Sequence, residues 1–507
     1  SSALINFRKY QNMNENLFSF VLITVCLYCM LYFIDGFLKS CLNFPYITFL
    51  EKTGISVNFF HLKWTTTIIN RPLLKWSSIR SRILHTWFHV GMIVTVSLII
   101  PSLILILYNC IMGIKGLGTK NVQVNEMTLS PMIPGINLPL DDFFFYFISF
   151  LTSSLLHELG HAIAAVREDV KLLGIGCSIF LLVPTAFVNL SSDCMKQITF
   201  IQRLRILSAG VWHNIVLSIV AIFALYFAPY LLSILYFHGT GVIVLKLTHN
   251  SPLLGVRGLS PGDLIDSIGS CPIVTKADWS SCLMGFIRDT SITGHCFRQD
   301  VVSMFDETVE NVYFSEGTTS CCHNNTTSHL CFELLDKEGE PEIKAPPFSC
   351  LPARTMLKEA IGQCNASIKC PQESHCYKPS LALHSKLITI QVRKKLDVVF
   401  VGYPGDILST VSVSEYLPRF SWVPLGFAPD LEKLLLYFIL FSSALVVINV
   451  TPCYGFDGQW ILVNVLQTIP FLKRRPDILQ ATIVITTFTS TILLVVNVLL
   501  GILYLVI

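Results

Sequence analysis

His157-Glu158-Leu159-Gly160-His161 closes an apolar run that extends from about Phe143 to Val166. On a helix, residues four apart lie one turn apart on the same face, so the two imidazoles can address one ion while the Glu158 carboxylate stands beside them. HExxH is a zinc-hydrolase pattern. Its setting is unusual, because ionisable side chains inside a membrane-length apolar segment are costly and point to function. Such a site still needs a third ligand, a source of water and a substrate.

Of the 507 residues, 52% are hydrophobic and 14% charged, and the mean hydropathy is +0.60. That is too apolar for a soluble globule of this size and indicates a polytopic α-helical membrane protein. The formal net charge is +3 and no basic run is interleaved with aromatics, so nucleic acid is excluded as a partner. Ten of the 17 cysteines fall between Cys271 and Cys376, in an otherwise polar stretch. An even cluster there implies disulfides in an oxidising lumen, and the absence of paired CxxC units argues against a zinc ribbon. Sequons at Asn324, Asn325 and Asn365 fall in the same stretch, whereas those at Asn189 and Asn449 lie in apolar surroundings and are read as accidental.

Leu17 to Leu38 is long and apolar enough to be a retained anchor span. From Lys39 to Thr86, alternating runs such as Ile55 to Phe59 and Leu62 to Thr66 read as strands on the membrane surface. Trp87 to Tyr108 is a second span, and a loop with several Gly and Pro runs to about Pro139. The span bearing the motif follows. Gly174 to Pro184 is apolar but broken by glycines, which suits a re-entrant or extended segment. Further spans are Leu207 to Phe237, Leu434 to Val450 and Ile478 to Ile507, with Ile461 to Leu472 too short to cross. Arg167, Lys171, Lys196, Arg203, Arg205 and Lys473 to Arg475 mark cytosolic ends. On that orientation the cysteine-rich segment is lumenal, and His157 and Asp457 reach the same side at similar depth. The N-terminus is then lumenal unless residues 39–86 dip into the bilayer.

Four regions follow: an anchor span with a strand-like surface segment (1–86), the first part of a catalytic membrane core (87–240), a lumenal domain (241–425) and the second part of the core (426–507). In the lumenal region, Ser251 to Ile265 resembles the strand-turn-strand core of PDZ domains, and Val398 to Val413 reads as a second such fragment. The expected domain is therefore PDZ-like, split by a disulfide-rich insertion, and such domains bind extended peptide at a sheet edge.

Zinc takes imidazole nitrogen and carboxylate oxygen in tetrahedral sites, with three protein ligands where the site is catalytic. His157 and His161 supply two. Asp457, after a span and between Gly455 and Gly458, is the third candidate. Glu158 is placed to take a proton from zinc-activated water and return it to the leaving amine. Asn214 reads equally as an oxyanion or substrate hydrogen-bond donor and as a packing residue between spans, and His213 reads as packing.

The HELGH motif, the Gly210-Val211-Trp212-His213-Asn214 unit, the stretch Asn449 to Gly458 and the cysteine-rich insert together resemble the site-2 protease family of intramembrane zinc metalloproteases, peptidase family M50. Phe456 stands where the family usually has Leu, and the loop over residues 110–140 lacks the long serine run of vertebrate members. The resemblance implies one zinc ion per chain, held by His157, His161 and Asp457, with Glu158 and Asn214 catalytic. It implies cleavage of the transmembrane segments of membrane-tethered transcription factor precursors, such as sterol regulatory element-binding proteins and stress-response factors. The cut would follow a lumenal one by site-1 protease, in Golgi or endoplasmic reticulum membranes. Two alternatives remain open: a CAAX-type membrane protease, which would want a later glutamate ligand, and a non-catalytic receptor or transporter scaffold.

Overall fold

The computed structural model describes residues 22–58, 60–68, 70–79, 81–118, 138–180, 183–289, 293–309, 313–315, 318–323, 328–335, 345–365 and 368–506. The sequons beginning at Asn324 and Asn325, Ala366 and Ser367 of the third, residues 17–21 of the first span and residues 119–137 of the Gly- and Pro-bearing loop lie outside them. The chain forms two compact units, one from residues up to Phe227 together with Leu431–Ile507, the other from Ala228–Asp430.

In the first unit and at its junctions, six helices among the described residues are long and apolar enough to cross a membrane: Leu22–Ser40, Arg82–Gly116, Phe143–Arg167, Phe200–Leu232, Phe427–Val450 and Pro476–Tyr504. These are the six spans expected from the sequence. The second is longer than Trp87 to Tyr108, because Ser81–Ser97 and Ile99–Gly118 follow one another through Leu98. Pro101 has no N–H to offer the Ser97 carbonyl, so the helical ladder lapses at that junction. Between spans in lipid there is no hydrophobic drive to associate, and close packing with interhelical hydrogen bonds takes its place. Ser153 meets Ser442 at 3.0 Å and Ser218 meets Ser443 at 2.9 Å. Asn497 Nδ2 donates to Ile106 O at 3.0 Å, and the Tyr504 hydroxyl to Gly113 O at 2.6 Å.

Four strands form one antiparallel sheet in chain order: β1 (Ile55–Asn58), β2 (His61–Thr66), β3 (Leu172–Phe180) and β4 (Val183–Leu190). The strand reading of residues 39–86 holds for β1 and β2 but omits two helices, Phe44–Thr53 and Asn70–Ile79. The Asn43 side chain caps the first of these, and Gly54 at φ +71° ends it. Of Gly174 to Pro184, residues 181–182 lie outside the described residues, Val183 and Pro184 open the antiparallel β4, and residues 174–180 are extended in β3. Gly176 is forced there, because a Cβ would collide with the Trp64 carbonyl and the Phe187 ring. With β2 on one side and β4 on the other, β3 has no free edge. The outer strands of this sheet are β1 and β4, and on the side of β4 away from β3 the Ala186 N–H donates to Ser154 Oγ at 2.9 Å.

In the second unit, strands Tyr236–Leu247, Leu264–Ile268, Lys386–Val392, Val398–Gly402 and Val411–Pro418, with the short Cys271–Pro272, form one six-stranded sheet. Fragments from both sides of the cysteine-rich stretch thus share a core, which includes Val242, Ile265, Ile388, Val398 and Ile407. The intervening residues build a five-stranded sheet with its own core of Phe297, Phe332, Leu351, Met356 and Tyr377. The ten cysteines stand in five disulfides, Cys271–Cys282, Cys296–Cys370, Cys321–Cys331, Cys322–Cys350 and Cys364–Cys376.

Arg205, read from the sequence as one of the charges marking a cytosolic end, is engaged internally. Its Nε and Nη2 donate to the two carboxylate oxygens of Glu168 at 2.9 and 3.0 Å, and both residues are buried. This fork joins the end of the helix Phe143–Arg167 to the helix Phe200–Leu232. Glu168→Ala strands a buried guanidinium and is expected to lower stability by about 3–5 kcal/mol, whereas the apolar pair Glu168→Met/Arg205→Met recovers most of the loss. Thermal unfolding of the three proteins in detergent measures both effects.

Candidate active site

Four glycines allow the site to form. Gly160 lies on the motif helix Phe143–Arg167, where a Cβ would collide with the Ala209 carbonyl and the His213 ring of the helix Phe200–Leu232. Gly210, on that second helix, faces the two histidine rings: its Cβ would stand 2.7 Å from His157 Nε2 and closer still to His161 Nε2. The glycine and the asparagine of the Gly210 to Asn214 unit therefore have separate tasks. The first leaves room for the metal-facing atoms, and the second lies one turn further along the helix. Gly455 takes φ +87° in the turn after the span Phe427–Val450. Gly458 fits beneath the carbonyls of Val450 and Thr451, where any side chain would clash. The chain thereby folds back sharply enough to place Asp457 in the first turn of the helix Asp457–Leu466, an end whose partial positive charge suits a carboxylate.

His157, His161 and Asp457 converge. Asp457 Oδ2 lies 3.0 Å from His157 Nε2 and 3.1 Å from His161 Nε2, and the two Nε2 atoms are 3.2 Å apart. Tetrahedral ligands at about 2.0–2.1 Å from zinc stand roughly 3.3 Å from each other, so this triangle fits three corners of such a site with the fourth left for water or substrate. Both histidines are buried, and the Asp457 side chain is 21% exposed. His161 Nδ1 meets the Ile206 carbonyl at 2.8 Å, which fixes that nitrogen as the N–H and leaves Nε2 its lone pair. The Glu158 carboxylate lies within electrostatic reach of all three residues, with the Val188 amide of β4 facing it.

Asn214, fully buried, places its amide nitrogen 3.2 Å from His157 Nδ1. His213 is outside the triangle, its Nδ1 bonded to the Ala209 carbonyl at 2.7 Å and its ring against Trp87 and Phe88. Among the described residues one further group has metal-like spacing, Cys296, Cys364 and Cys370, but its sulfurs are already bonded in disulfides. Sequence reasoning missed the Ile206 carbonyl and the Ser154 hydroxyl. A backbone carbonyl carries no residue-type signal, and a serine in a span reads as helix packing. Gly210→Ala should fill the space between the ligand nitrogens; we expect an intact helical fold with zinc stoichiometry far below one, measured by circular dichroism and atomic absorption on the same preparation.

The sequence profile described as peptidase family M50 matches residues 145–496. A protein from Arabidopsis thaliana described as a membrane-bound transcription factor site-2 protease homolog is 25% identical over 463 residues, covering 80% of this chain and 85% of that protein. The M50 match takes in the HELGH motif, the Gly210 to Asn214 unit and Asp457, and it extends over well more than half of the chain. With six helices fit to cross a membrane and a histidine-aspartate triangle among the described residues, the chain belongs to peptidase family M50, the intramembrane zinc metalloproteases.

Proposed function

We propose that His157, His161 and Asp457 hold one zinc ion and that Glu158 is the proton carrier of a peptide hydrolase working inside the bilayer. The three-sided approach of Nε2, Nε2 and Oδ2 at 3.0–3.2 Å carries this reading. Bound there, zinc would polarise water and the scissile carbonyl, bringing the water toward deprotonation near neutral pH. Glu158 accepts the proton of the attacking water and delivers it to the leaving amine, for which its place beside the triangle suits it.

A transmembrane helix shields its peptide bonds with its own hydrogen bonds, and opening it in lipid leaves groups that cost several kcal/mol each. An edge strand can repay that cost. Both edges of β3 are paired, so in this sheet β4 is the strand beside the motif helix that can take up an extended substrate. The amides of Ala186 and Val188 point from its free edge toward Ser154 and Glu158 of the motif helix. An extended substrate segment whose carbonyls took over those two donors would lie directly beside Glu158.

The substrates of this reading are transmembrane segments of membrane-tethered transcription factor precursors, cut after site-1 protease has trimmed them in the lumen, with release of a cytosolic domain from Golgi or endoplasmic reticulum membranes. Similarity to the Arabidopsis membrane-bound transcription factor site-2 protease homolog supports it. In this reading the region 241–425 is lumenal, with a PDZ-like sheet that screens out untrimmed substrates. The assembly of both PDZ-like fragments into one sheet supports that assignment. The membrane core comprises residues 87–240 and 426–507, preceded by the segment 1–86.

Glu158→Gln should keep zinc at about one per chain and lower cleavage of a tethered reporter by at least about 100-fold, the scale of a lost general base. Asp457→Ala should lose the metal as well. Unchanged cleavage by Glu158→Gln would refute the protease chemistry, and full zinc content in Asp457→Ala would remove Asp457 from the ligand set. For the edge strand, Val188→Pro deletes one donor; cleavage should fall while zinc stays bound, and undiminished cleavage would remove β4 from substrate binding.

A further inference from the structure

The two histidines of the triangle are held from behind by different kinds of partner. His161 Nδ1 faces the Ile206 carbonyl, a group that only accepts. His157 Nδ1 faces the side-chain amide of Asn214, with the amide nitrogen at 3.2 Å. The other end of that amide, Asn214 Oδ1, is buried and has no hydrogen-bond partner. Amide oxygen and nitrogen have nearly the same shape, so the two orientations of the group differ only in what they donate and accept.

The orientation follows from what His157 must do. With no cation, His157 can carry its proton on Nε2 and donate it to Asp457 Oδ2 at 3.0 Å, leaving Nδ1 to accept from Asn214. With a cation on Nε2, the proton moves to Nδ1, and the amide nitrogen would then confront another donor. Rotating the amide by half a turn removes that conflict and gives the orphaned oxygen its partner. We infer that Asn214 Oδ1 accepts the Nδ1–H of His157 in the loaded site, and that Asn214 is a positioning residue which sets the tautomer and ring plane of this ligand. This inference rests on the zinc reading proposed above and replaces, for Asn214, the role of donor to an oxyanion. It also gives the two ligand histidines equivalent support, a backbone oxygen behind His161 and an amide oxygen behind His157.

Such outer partners commonly account for 10–100-fold in metal affinity. The test is the zinc dissociation constant of the full chain in detergent, by competition with a chelator, for wild type, Asn214→Asp, Asn214→Leu and His157→Ala. Aspartate keeps an acceptor and leucine keeps the volume without one. The expected result is affinity within about threefold of wild type for Asn214→Asp and a loss of about 10–100-fold for Asn214→Leu. Wild-type affinity in Asn214→Leu would overturn the inference, as would an Asn214→Asp loss equal to that of Asn214→Leu. Should Asn214→Leu fail to fold, Asn214→Asp decides alone: affinity near wild type supports the acceptor role, and a tenfold loss overturns it. Equal zinc binding by wild type and His157→Ala would reject the metal-site reading itself, and this inference with it.

Discussion

Everything in the membrane unit depends on two helices approaching closely enough for backbone to lie against imidazole. Gly160 and Gly210 make this possible from opposite sides, one admitting the Ala209 carbonyl and His213, the other leaving space at the two Nε2 atoms. Van der Waals packing is the main attraction between spans in lipid, and small residues at the crossing strengthen it. The same contact that holds the helices together thus decides the room available to a metal ion. Stability and the site cannot be varied independently here.

The polar groups near the contact form a graded set. The Glu168–Arg205 fork ties the far end of the motif helix to the helix carrying Gly210, with the Ile206 carbonyl one residue beyond Arg205. Desolvating two charges is costly, so this pair is weak evidence for stability in itself. Its effect is geometric: it fixes the register in which the Ile206 carbonyl meets His161. Toward the other end of the motif helix, Asp142 accepts from Lys433 at 2.7 Å and from the Tyr437 hydroxyl at 3.1 Å, which ties it to the span that leads to Asp457.

Much of this arrangement was legible in the sequence. Hydropathy exposed the spans because lipid contact demands long apolar runs, and the HELGH spacing exposed two candidate ligands because helical periodicity fixes their relation. Asp457 was found through charge and turn residues. The sheet was less legible: β1 and β2 read as strands, yet nothing local announces that β2 pairs with β3 across more than a hundred residues, or that β4 rather than β3 keeps a free edge. The partners behind the histidines were hidden for another reason. Ile206 contributes only its backbone, and the sense in which Asn214 meets His157 depends on tertiary placement.

The candidate ligands His157 and Asp457 are separated by 300 positions. A nascent chain carrying the HELGH helix holds two of the three candidate ligands until Asp457 emerges, and the triangle stays incomplete throughout that interval. The second unit shortens the remaining search. Its first and last strands pair Tyr236 with Pro418, and the Arg419 amide bonds to the Leu235 carbonyl at 2.9 Å, so its two ends lie side by side. Folding of that unit removes roughly 180 residues from the loop to be closed, easing closure by about 1 kcal/mol on chain-entropy grounds. Completion of the triangle is in this sense timed by biosynthesis: the protein must finish its insert before Asp457 can join the two histidines.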